Sequence, residues 1–330
     1  MVRFATIGSN VIVDQFLNEA KKVEGLQYVS AYSRTPEKAK DFAKKHNALR
    51  WDSDLLELAN APDIDAVYIA SPNSLHCEQA ILMMKHNKHI LCEKTIASNE
   101  NELQEMLKVA QEHQVILLEA VRSAFDPGFE TVAQNLGKLG KIRRATFIKC
   151  QYSSRYDKFR NGIIENTFDP SLSNGSLMDI GIYCIHPMVF LFGMPNRIVS
   201  DTIILENGVD GAGTILFSYD SMQAEMIYSK ISNNFLPSQI QGEEGTMIID
   251  EIADTRKIEI LYRNGEKESY SFEKAQYNLL YEAQKWVEMI ENQEKATKYN
   301  DASVMTLQVM DTVRKQLGIV FPADKKEAWK

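Results

Sequence analysis

A charged pair closes a short apolar run in the first third of the chain. Residues 89–95 read HILCEKT, so the run ends in Glu93 and Lys94. Such a run predicts a buried parallel strand, and open α/β sheets bind their ligands at the carboxyl ends of these strands. Partial burial favours the neutral amine of a lysine, which suits Lys94 to proton transfer. The alternative is a structural ion pair at a strand end.

Three further polar side chains lie in an apolar segment, residues 177–192, that predicts a buried helix. Asp179, Tyr183 and His186 are spaced at i, i+4 and i+7, and therefore share one helical face. A buried carboxylate is costly unless it is paired, and Lys94 is the partner that we expect for Asp179. The alternative is a local cap or ion pair for the aspartate, with the tyrosine and histidine in the core. These three residues lack a recognised ligand spacing, so we expect no metal.

Strands and helices alternate through the first 120 residues. Apolar runs predict strands at residues 3–7, 27–32, 65–70, 89–93 and 115–118, and helical spacing or cap residues fill the intervals between them. Strands separated by helices imply a parallel sheet with right-handed crossovers. Two such halves make the dinucleotide-binding fold. We therefore predict an α/β protein with a Rossmann domain over residues 1–120.

The turn after the first strand carries an incomplete dinucleotide fingerprint. The usual pattern is G-x-G-x-x-G/A, whereas residues 8–13 read GSNVIV. Asn10 replaces the second glycine, and asparagine tolerates a left-handed conformation better than most residues. A helix start also offers free N–H groups to a phosphate. We predict cofactor contacts from Gly8, Ser9, Asn10, Val11 and Ile12, with a plain βα turn as the alternative.

Two further turns predict cofactor contacts. An acidic residue after the second strand would favour NAD, but this chain has Ser33 and Arg34, and an arginine can clamp the 2′-phosphate of NADP. We therefore predict NADP, with NAD as the alternative. After the third predicted strand, Asn73 or Ser74 is expected to cap a helix, while His76 lies near the same sheet edge or on the surface. The contacts expected here are Ser71, Pro72, Asn73 and His76, and beyond the last parallel strand Arg122.

The pattern of elements changes after residue 120. A helix at residues 127–136 leads into a long strand at 141–152, and strands then dominate between residues 196 and 272. Their glycine- and asparagine-rich turns predict a broad, mostly antiparallel sheet. Two helices follow, at residues 278–291 and 302–317. We therefore predict an α+β domain over residues 121–330 for substrate binding and dimerisation.

The composition excludes several classes of protein. The chain has 330 residues, enough for two domains. Its net charge of −8 argues against a nucleic-acid partner, and it lacks the run of about 20 apolar residues that a membrane span needs. A strand-like run at the N-terminus leads us to expect no signal peptide. Widely spaced cysteines (Cys77, Cys92, Cys150 and Cys184) predict free thiols in the cytoplasm.

The chain resembles the glucose-fructose oxidoreductase, inositol dehydrogenase and MocA family over nearly its whole length. The resemblance rests on the glycine turn, on SPNSLHCEQA, on the pair Glu93 and Lys94, and on GSLMDIGIYCIH. Family members usually have proline where this chain has Thr95, and glycine where it has Asn174. Many have histidine four residues after the aspartate. Tyr183 at that place is similar to the branch that contains dimeric dihydrodiol dehydrogenases and glucose-fructose oxidoreductase itself.

The resemblance implies an open-faced sheet in the second domain, frequent dimers, and NAD(P)-dependent interconversion of an alcohol and a ketone on a sugar, polyol or diol. On this basis Tyr183 takes the hydroxyl proton, and Lys94 orients the tyrosine hydroxyl and favours its ionised form. Asp179 holds Lys94 or the substrate. Glu93 and Asn73 position the nicotinamide and its ribose.

Substrate contacts are expected from Arg155 and His186. One alternative function is a regulatory or sensor protein that binds NAD(P) without turnover. The incomplete glycine turn favours this alternative, whereas Lys94, Asp179 and Tyr183 oppose it. A second alternative is an enzyme that uses a tightly bound NAD only transiently, with net hydrolysis or elimination of a sugar.

Overall fold

The computed structural model describes residues 1–329, and its internal contacts define two compact units. The first unit contains residues 1–120 and 275–301. The second unit contains residues 121–274 and the residues from 302 onward.

Six parallel strands form the sheet of the first unit. They are β1 (Val2–Ile7), β2 (Leu26–Tyr32), β3 (Arg50–Asp52), β4 (Ala66–Ile69), β5 (His89–Glu93) and β6 (Leu117–Ala120). Their order is β3-β2-β1-β4-β5-β6, and every neighbouring pair is parallel. This is the order of two mononucleotide-binding halves that meet at β1 and β4. The predicted Rossmann sheet is confirmed.

Five helices connect these strands. They are α1 (Val11–Ala20), α2 (Pro36–His46), α3 (Leu55–Asn60), α4 (Asn73–Lys85) and α5 (Glu100–Glu112). The side chains of Asn10, Asp54 and Asn99 accept hydrogen bonds from N–H groups in the first turns of α1, α3 and α5. The sequence pattern does not reveal β3 and α3, because elements of three and six residues are too short to show a period.

An eight-stranded sheet is the centre of the second unit. Its strands are β7 (Ile142–Cys150), β8 (Arg197–Ile204), β9 (Asp210–Ser218), β10 (Gln223–Ser229), β11 (Ser238–Gly242), β12 (Gly245–Ile249), β13 (Lys257–Tyr262) and β14 (Lys267–Ser271). Their order is β14-β13-β12-β11-β7-β10-β9-β8. The pair β7 and β10 is parallel, and the other neighbours are antiparallel. The predicted mostly antiparallel sheet is confirmed.

The two faces of this sheet differ in what covers them. The unit also contains α6 (Pro127–Asn135), α7 (Ser154–Arg160) and α8 (Ile182–Phe192). Helix α8 packs against β7 and β10, where Met226 and Tyr228 are buried. Side chains alternate along a strand, so the residues between them belong to the other face. That face exposes four aliphatic side chains on β8, β9 and β10, which are Val199, Ile203, Leu216 and Ile227.

Two long helices complete the chain, α9 (Leu279–Glu291) and α10 (Thr297–Leu317). Helix α9 belongs to the first unit, where it packs on α1 and β1 and the Trp286 ring lies 6.3 Å from that of Phe4. The predicted second domain, residues 121–330, is therefore corrected for residues 275–301. An amphipathic helix has the same sequence pattern whichever sheet it covers, so the pattern alone does not reveal that α9 belongs to the first unit.

Candidate active site

The turn between β1 and α1 is built by a glycine and an asparagine cap. Gly8 has a φ of +120°, and a Cβ there would lie 2.7 Å from the carbonyl oxygen of Ala70, so the position requires glycine. Asn10 has a φ of −95°, so it does not use the left-handed conformation that asparagine tolerates. Its side chain instead accepts from Val13 N at 3.3 Å and donates to the oxygen of Ala70 at 2.9 Å. The side chain thereby fixes the start of α1 beside the end of β4.

This turn fits the diphosphate of a dinucleotide. Helix α1 begins directly beyond the carboxyl end of β1, and Val11 at its first position is exposed. The amide groups of a helix start favour an anion. Because the asparagine caps the helix without a left-handed backbone, the missing second glycine does not disrupt the turn.

The loop after β2 carries no carboxylate that would face a ribose 2′-hydroxyl. Ser33 donates its backbone N–H to the oxygen of Asp52 at 3.3 Å, and Arg34 is exposed. The buried carboxylate of Asp52 accepts hydrogen bonds from Ser30 and Arg50. This carboxylate is thus occupied within the sheet, and the loop with Arg34 fits a 2′-phosphate better than a free hydroxyl.

His76 connects the loops that follow β4 and β5. Its ring is fully buried, with Nε2 2.8 Å from the oxygen of Ser71 and Nδ1 3.0 Å from the oxygen of Thr95. Burial lowers the pKa of His76, and the nearby charge of Lys94 adds to this effect. The surface alternative for His76 is therefore wrong. The predicted cap by Asn73 or Ser74 is also wrong, because α4 already begins at Asn73, with Pro72 as its cap residue.

Glu93 and Lys94 lie at the carboxyl end of β5, as the sequence predicts. The carboxylate of Glu93 accepts a hydrogen bond of 2.6 Å from the hydroxyl of Tyr68. The ring of Tyr68 is stacked on Phe16, with centroids 3.8 Å apart, and burial together with the charge of Glu93 raises the pKa of Tyr68. Lys94 is half-buried, and the peptide bond that joins it to Thr95 is cis. The hydrogen bond from Tyr68 thus fixes the carboxylate of Glu93, the residue that precedes Lys94.

In the second unit, Asp179 and Tyr183 lie in a helical segment with two different pitches. Residues Leu177–Gly181 form a wide π-type turn, which α8 continues. The predicted single regular helix over residues 177–192 is therefore corrected. Tyr183 is mostly buried, and the guanidinium carbon of Arg122 lies over its ring, 5.3 Å from the centroid. An arginine over an aromatic face is a favourable cation–π arrangement.

Asp179 forms an ion pair with Lys230, a residue that the sequence analysis does not single out. The aspartate side chain is 24% exposed and that of Lys230 only 8%. Lys230 directly follows the apolar strand β10. The signal that points to Lys94, a lysine at the carboxyl end of an apolar strand, is therefore also present at Lys230. The ion pair meets the expectation that this carboxylate is paired, and it gives Asp179 a partner in its own unit. Pairing of Asp179 with Lys94 stays a prediction.

Two parts of the chain match descriptions of protein families. Residues 2–121 match GFO_IDH_MocA, the oxidoreductase family with an NAD-binding Rossmann fold. Residues 133–248 match the GFO/IDH/MocA C-terminal domain. The chain belongs to the GFO/IDH/MocA oxidoreductase family. The predicted family and the predicted class of enzyme, an NAD(P)-dependent oxidoreductase, are confirmed.

Members of this family and solved structures resemble the chain along most of its length. The scyllo-inositol 2-dehydrogenase (NADP(+)) IolU of Bacillus subtilis is 47% identical over 98% of this chain and 100% of its own. The trans-1,2-dihydrobenzene-1,2-diol dehydrogenase of Mus musculus is 26% identical over 98% and 99%. The structure of KijD10, a 3-ketoreductase from Actinomadura kijaniata in complex with NADP and TDP-benzene, covers 95% of this chain and 97% of that one, with a TM-score of 0.85. At 19% sequence identity, this structural likeness shows a shared fold alone.

Two residues predicted as substrate contacts of this GFO/IDH/MocA protein interact with other side chains of the protein. Arg155 is exposed and donates to the hydroxyl of Thr167 at 2.7 Å, with Glu165 at 3.5 Å. His186 is buried and stacks on Phe190, and burial lowers its pKa to about 4. The histidine is therefore neutral at physiological pH. Its burial favours a packing role, and substrate contact by either residue stays a prediction.

Two kinds of feature are absent from residues 1–329, the part of the chain that the structure describes. In this range, no group of three or more His, Cys, Asp or Glu side chains is arranged to hold a metal ion. No helix in the same range is both long and apolar enough to cross a membrane.

Proposed function

We propose that the protein interconverts a CH–OH group and the corresponding ketone on a sugar, polyol or diol, with NADP as its cofactor. The Bacillus subtilis relative is named a scyllo-inositol 2-dehydrogenase (NADP(+)), and the mouse relative is named a diol dehydrogenase. The observation that carries the proposal is that one helical segment holds both a phenol, whose ring is covered by a guanidinium, and a carboxylate in an ion pair. These groups are Tyr183, Arg122 and Asp179.

The proposed cofactor sites are all in the first unit. When NADP is bound, its nicotinamide ring supplies or accepts a hydride. The residues proposed for the diphosphate are Gly8, Ser9, Asn10, Val11 and Ile12. Ser33 and Arg34 are proposed for the 2′-phosphate, because a guanidinium makes charge-assisted contacts with it. The residues proposed for the nicotinamide end, which follow β4 and β5, are Ser71, Pro72, Asn73, His76 and Glu93.

The proton of the substrate hydroxyl needs an acceptor as the hydride leaves. Tyr183 is the proposed acceptor, and it takes up this proton as a phenolate. In the reverse direction the phenol returns the proton to the substrate oxygen and gains negative charge, which suits the positive charge of Arg122 above its ring. Arg122, predicted as a cofactor contact, is thus assigned to the tyrosine. Asp179 is proposed to accept hydrogen bonds from substrate hydroxyls. Lys94 is proposed to take part in the proton transfer, because it follows β5 at the ligand-binding edge of the sheet.

The open face of the second unit is proposed to bind a second copy of the chain. Leu216 and Ile203 on this face are 50% and 58% exposed, and Val199 is paired with Leu216 across β8 and β9. Contiguous apolar side chains on a sheet surface are typical of an interface between proteins. A face that is identical in both copies suits a two-fold dimer.

A cytoplasmic location is also proposed. All four cysteines are free thiols, and three of them are buried. Free cysteines are usual in reducing compartments. Fractionation of the cells that make the protein tests this, and recovery outside the cytoplasm would contradict it.

A panel of polyols, sugars and diols tests the proposed reaction, with NADP and NAD added separately and the reduced nicotinamide followed by absorbance. We expect net formation of NADPH with at least one polyol or sugar. Binding of NADP without turnover of any compound would favour the sensor alternative. Product formation without net NADPH would favour the alternative of transient oxidation.

A further inference from the structure

Lys230 is a buried lysine, and its burial calls for an explanation. It follows β10, and its backbone N–H donates to the oxygen of Gly211 at 2.9 Å, which extends the pairing of β9 with β10. Its side chain is 8% exposed and ends at the carboxylate of Asp179. Removing an ammonium group from water is costly, and an apolar side chain commonly stabilises a buried position as well as or better than an ion pair does. The lysine is therefore a poor choice for stability alone.

A second contact fixes the backbone that carries Asp179. The carboxylate of Asp210, at the start of β9, accepts from the backbone N–H of Leu177 at 2.6 Å. Gly175 lies against the same group, since a Cβ there would be 2.2 Å from Asp210 Oδ1. The start of the π-type turn is thus held by Asp210, and the aspartate two residues later is held by Lys230. The backbone and the side chain of Asp179 are each fixed by the sheet.

We infer that Lys230 is a positioning residue, which keeps Asp179 ionised and correctly oriented for the hydroxyl groups of the substrate. This inference rests on the proposed function and adds a residue to it. An ionised aspartate accepts hydrogen bonds only, whereas a protonated one also donates. The lysine therefore determines which pattern of substrate hydroxyls Asp179 can recognise. Because the pair carries no net charge, it suits a neutral polyol or sugar.

The pH dependence of kcat/KM distinguishes this role from a structural one. Without the charge of Lys230, Asp179 should stay protonated to higher pH, because a positive neighbour holds the pKa of an aspartate down by about 1–3 units. In Lys230→Met we therefore expect the acid limb of the profile to move to higher pH by about one unit or more. Lys230→Arg should restore the limb to its wild-type position. Lys149→Met is the matched control, because it removes another lysine of the same unit from its pair with Glu251.

Asp210 needs a control of its own, since burial raises its pKa to about 6 and it also interacts with the charge of Lys230. Asp210→Asn keeps a side-chain oxygen that can accept from Leu177 N. In this variant we expect the acid limb of the kcat/KM profile, which Lys230→Met moves, to stay at its wild-type pH. If Lys230→Met does not fold, Lys230→Gln keeps a polar side chain with a hydrogen-bond donor but no charge, and should give a shift in the same direction.

Two outcomes would overturn the inference while the proposed function stands. One is an acid limb and kcat/KM in a folded Lys230→Met or Lys230→Gln that equal those of the wild type. The other is an equal shift in Lys149→Met, which would mark a general effect of losing an ion pair. Failure of the proposed function is distinguishable, because the wild type itself would then turn over no member of the panel.

Discussion

The guanidinium carbon of Arg122 lies 5.3 Å from the centre of the Tyr183 ring, so a fixed positive charge covers the proposed proton acceptor. Tyr183→Phe keeps the ring under the arginine and removes only the hydroxyl. Because loss of a proton-transfer group typically costs about 100- to 10,000-fold, we expect kcat to fall in this range while KM and the melting temperature change little. Steady-state kinetics and a thermal melt measure this. A phenylalanine variant with full activity would assign the proton to another group.

Lys94→Met should abolish most turnover and leave the fold and NADP affinity nearly intact. The lysine follows β5 next to Glu93, at the carboxyl edge of the sheet, where its amine can take part in proton transfer. We expect kcat to fall about 100-fold or more. Lys85→Met removes an exposed lysine at the end of α4 and is the matched control. A fall of less than tenfold in Lys94→Met, with a working substrate, would be incompatible with this role.

Arg34→Ala should weaken the binding of NADP far more than that of NAD. Only NADP carries the 2′-phosphate, and charge-assisted hydrogen bonds are worth about 1.5–3 kcal/mol, or about tenfold or more in affinity. Calorimetry with both cofactors on both proteins gives the four dissociation constants needed. Lys44→Ala removes the same charge from the other end of α2 and should have little effect. Equal losses for the two cofactors, or a wild type that prefers NAD, would contradict the assignment.

Leu216→Lys should separate the proposed dimer. The substitution places a charge at the centre of the exposed apolar face formed by β8, β9 and β10, where burial in an interface would leave it unpaired. Light scattering should give about twice the chain mass of 37.5 kDa for the wild type and about the single mass for the variant. Ile163→Lys changes an exposed isoleucine outside the sheet and should remain dimeric. A monomeric wild type would contradict the proposed dimer.

The sequence predicts those features that repeat along it or that end an apolar run. The run that leads to Glu93 and Lys94 is one example, since a buried parallel strand must be apolar whatever it contacts. The conformation of Asn10 was not predictable in this way, because its side chain also donates a hydrogen bond to the carbonyl oxygen of Ala70, 60 residues distant in sequence. The pair of Asp179 with Lys230 likewise depends on how β10 meets the π-type turn.

Transfer of deuterium tests the central claim most directly. A substrate from the panel is labelled with deuterium at the carbon that bears the reacting hydroxyl, and the NADPH formed is analysed by mass spectrometry. Because the proposed reaction moves that hydrogen as a hydride, we expect about one deuterium in each NADPH and slower turnover of the labelled substrate when the chemical step limits the rate. Deuterium found in water, or product formed without labelled NADPH, would contradict the proposed function.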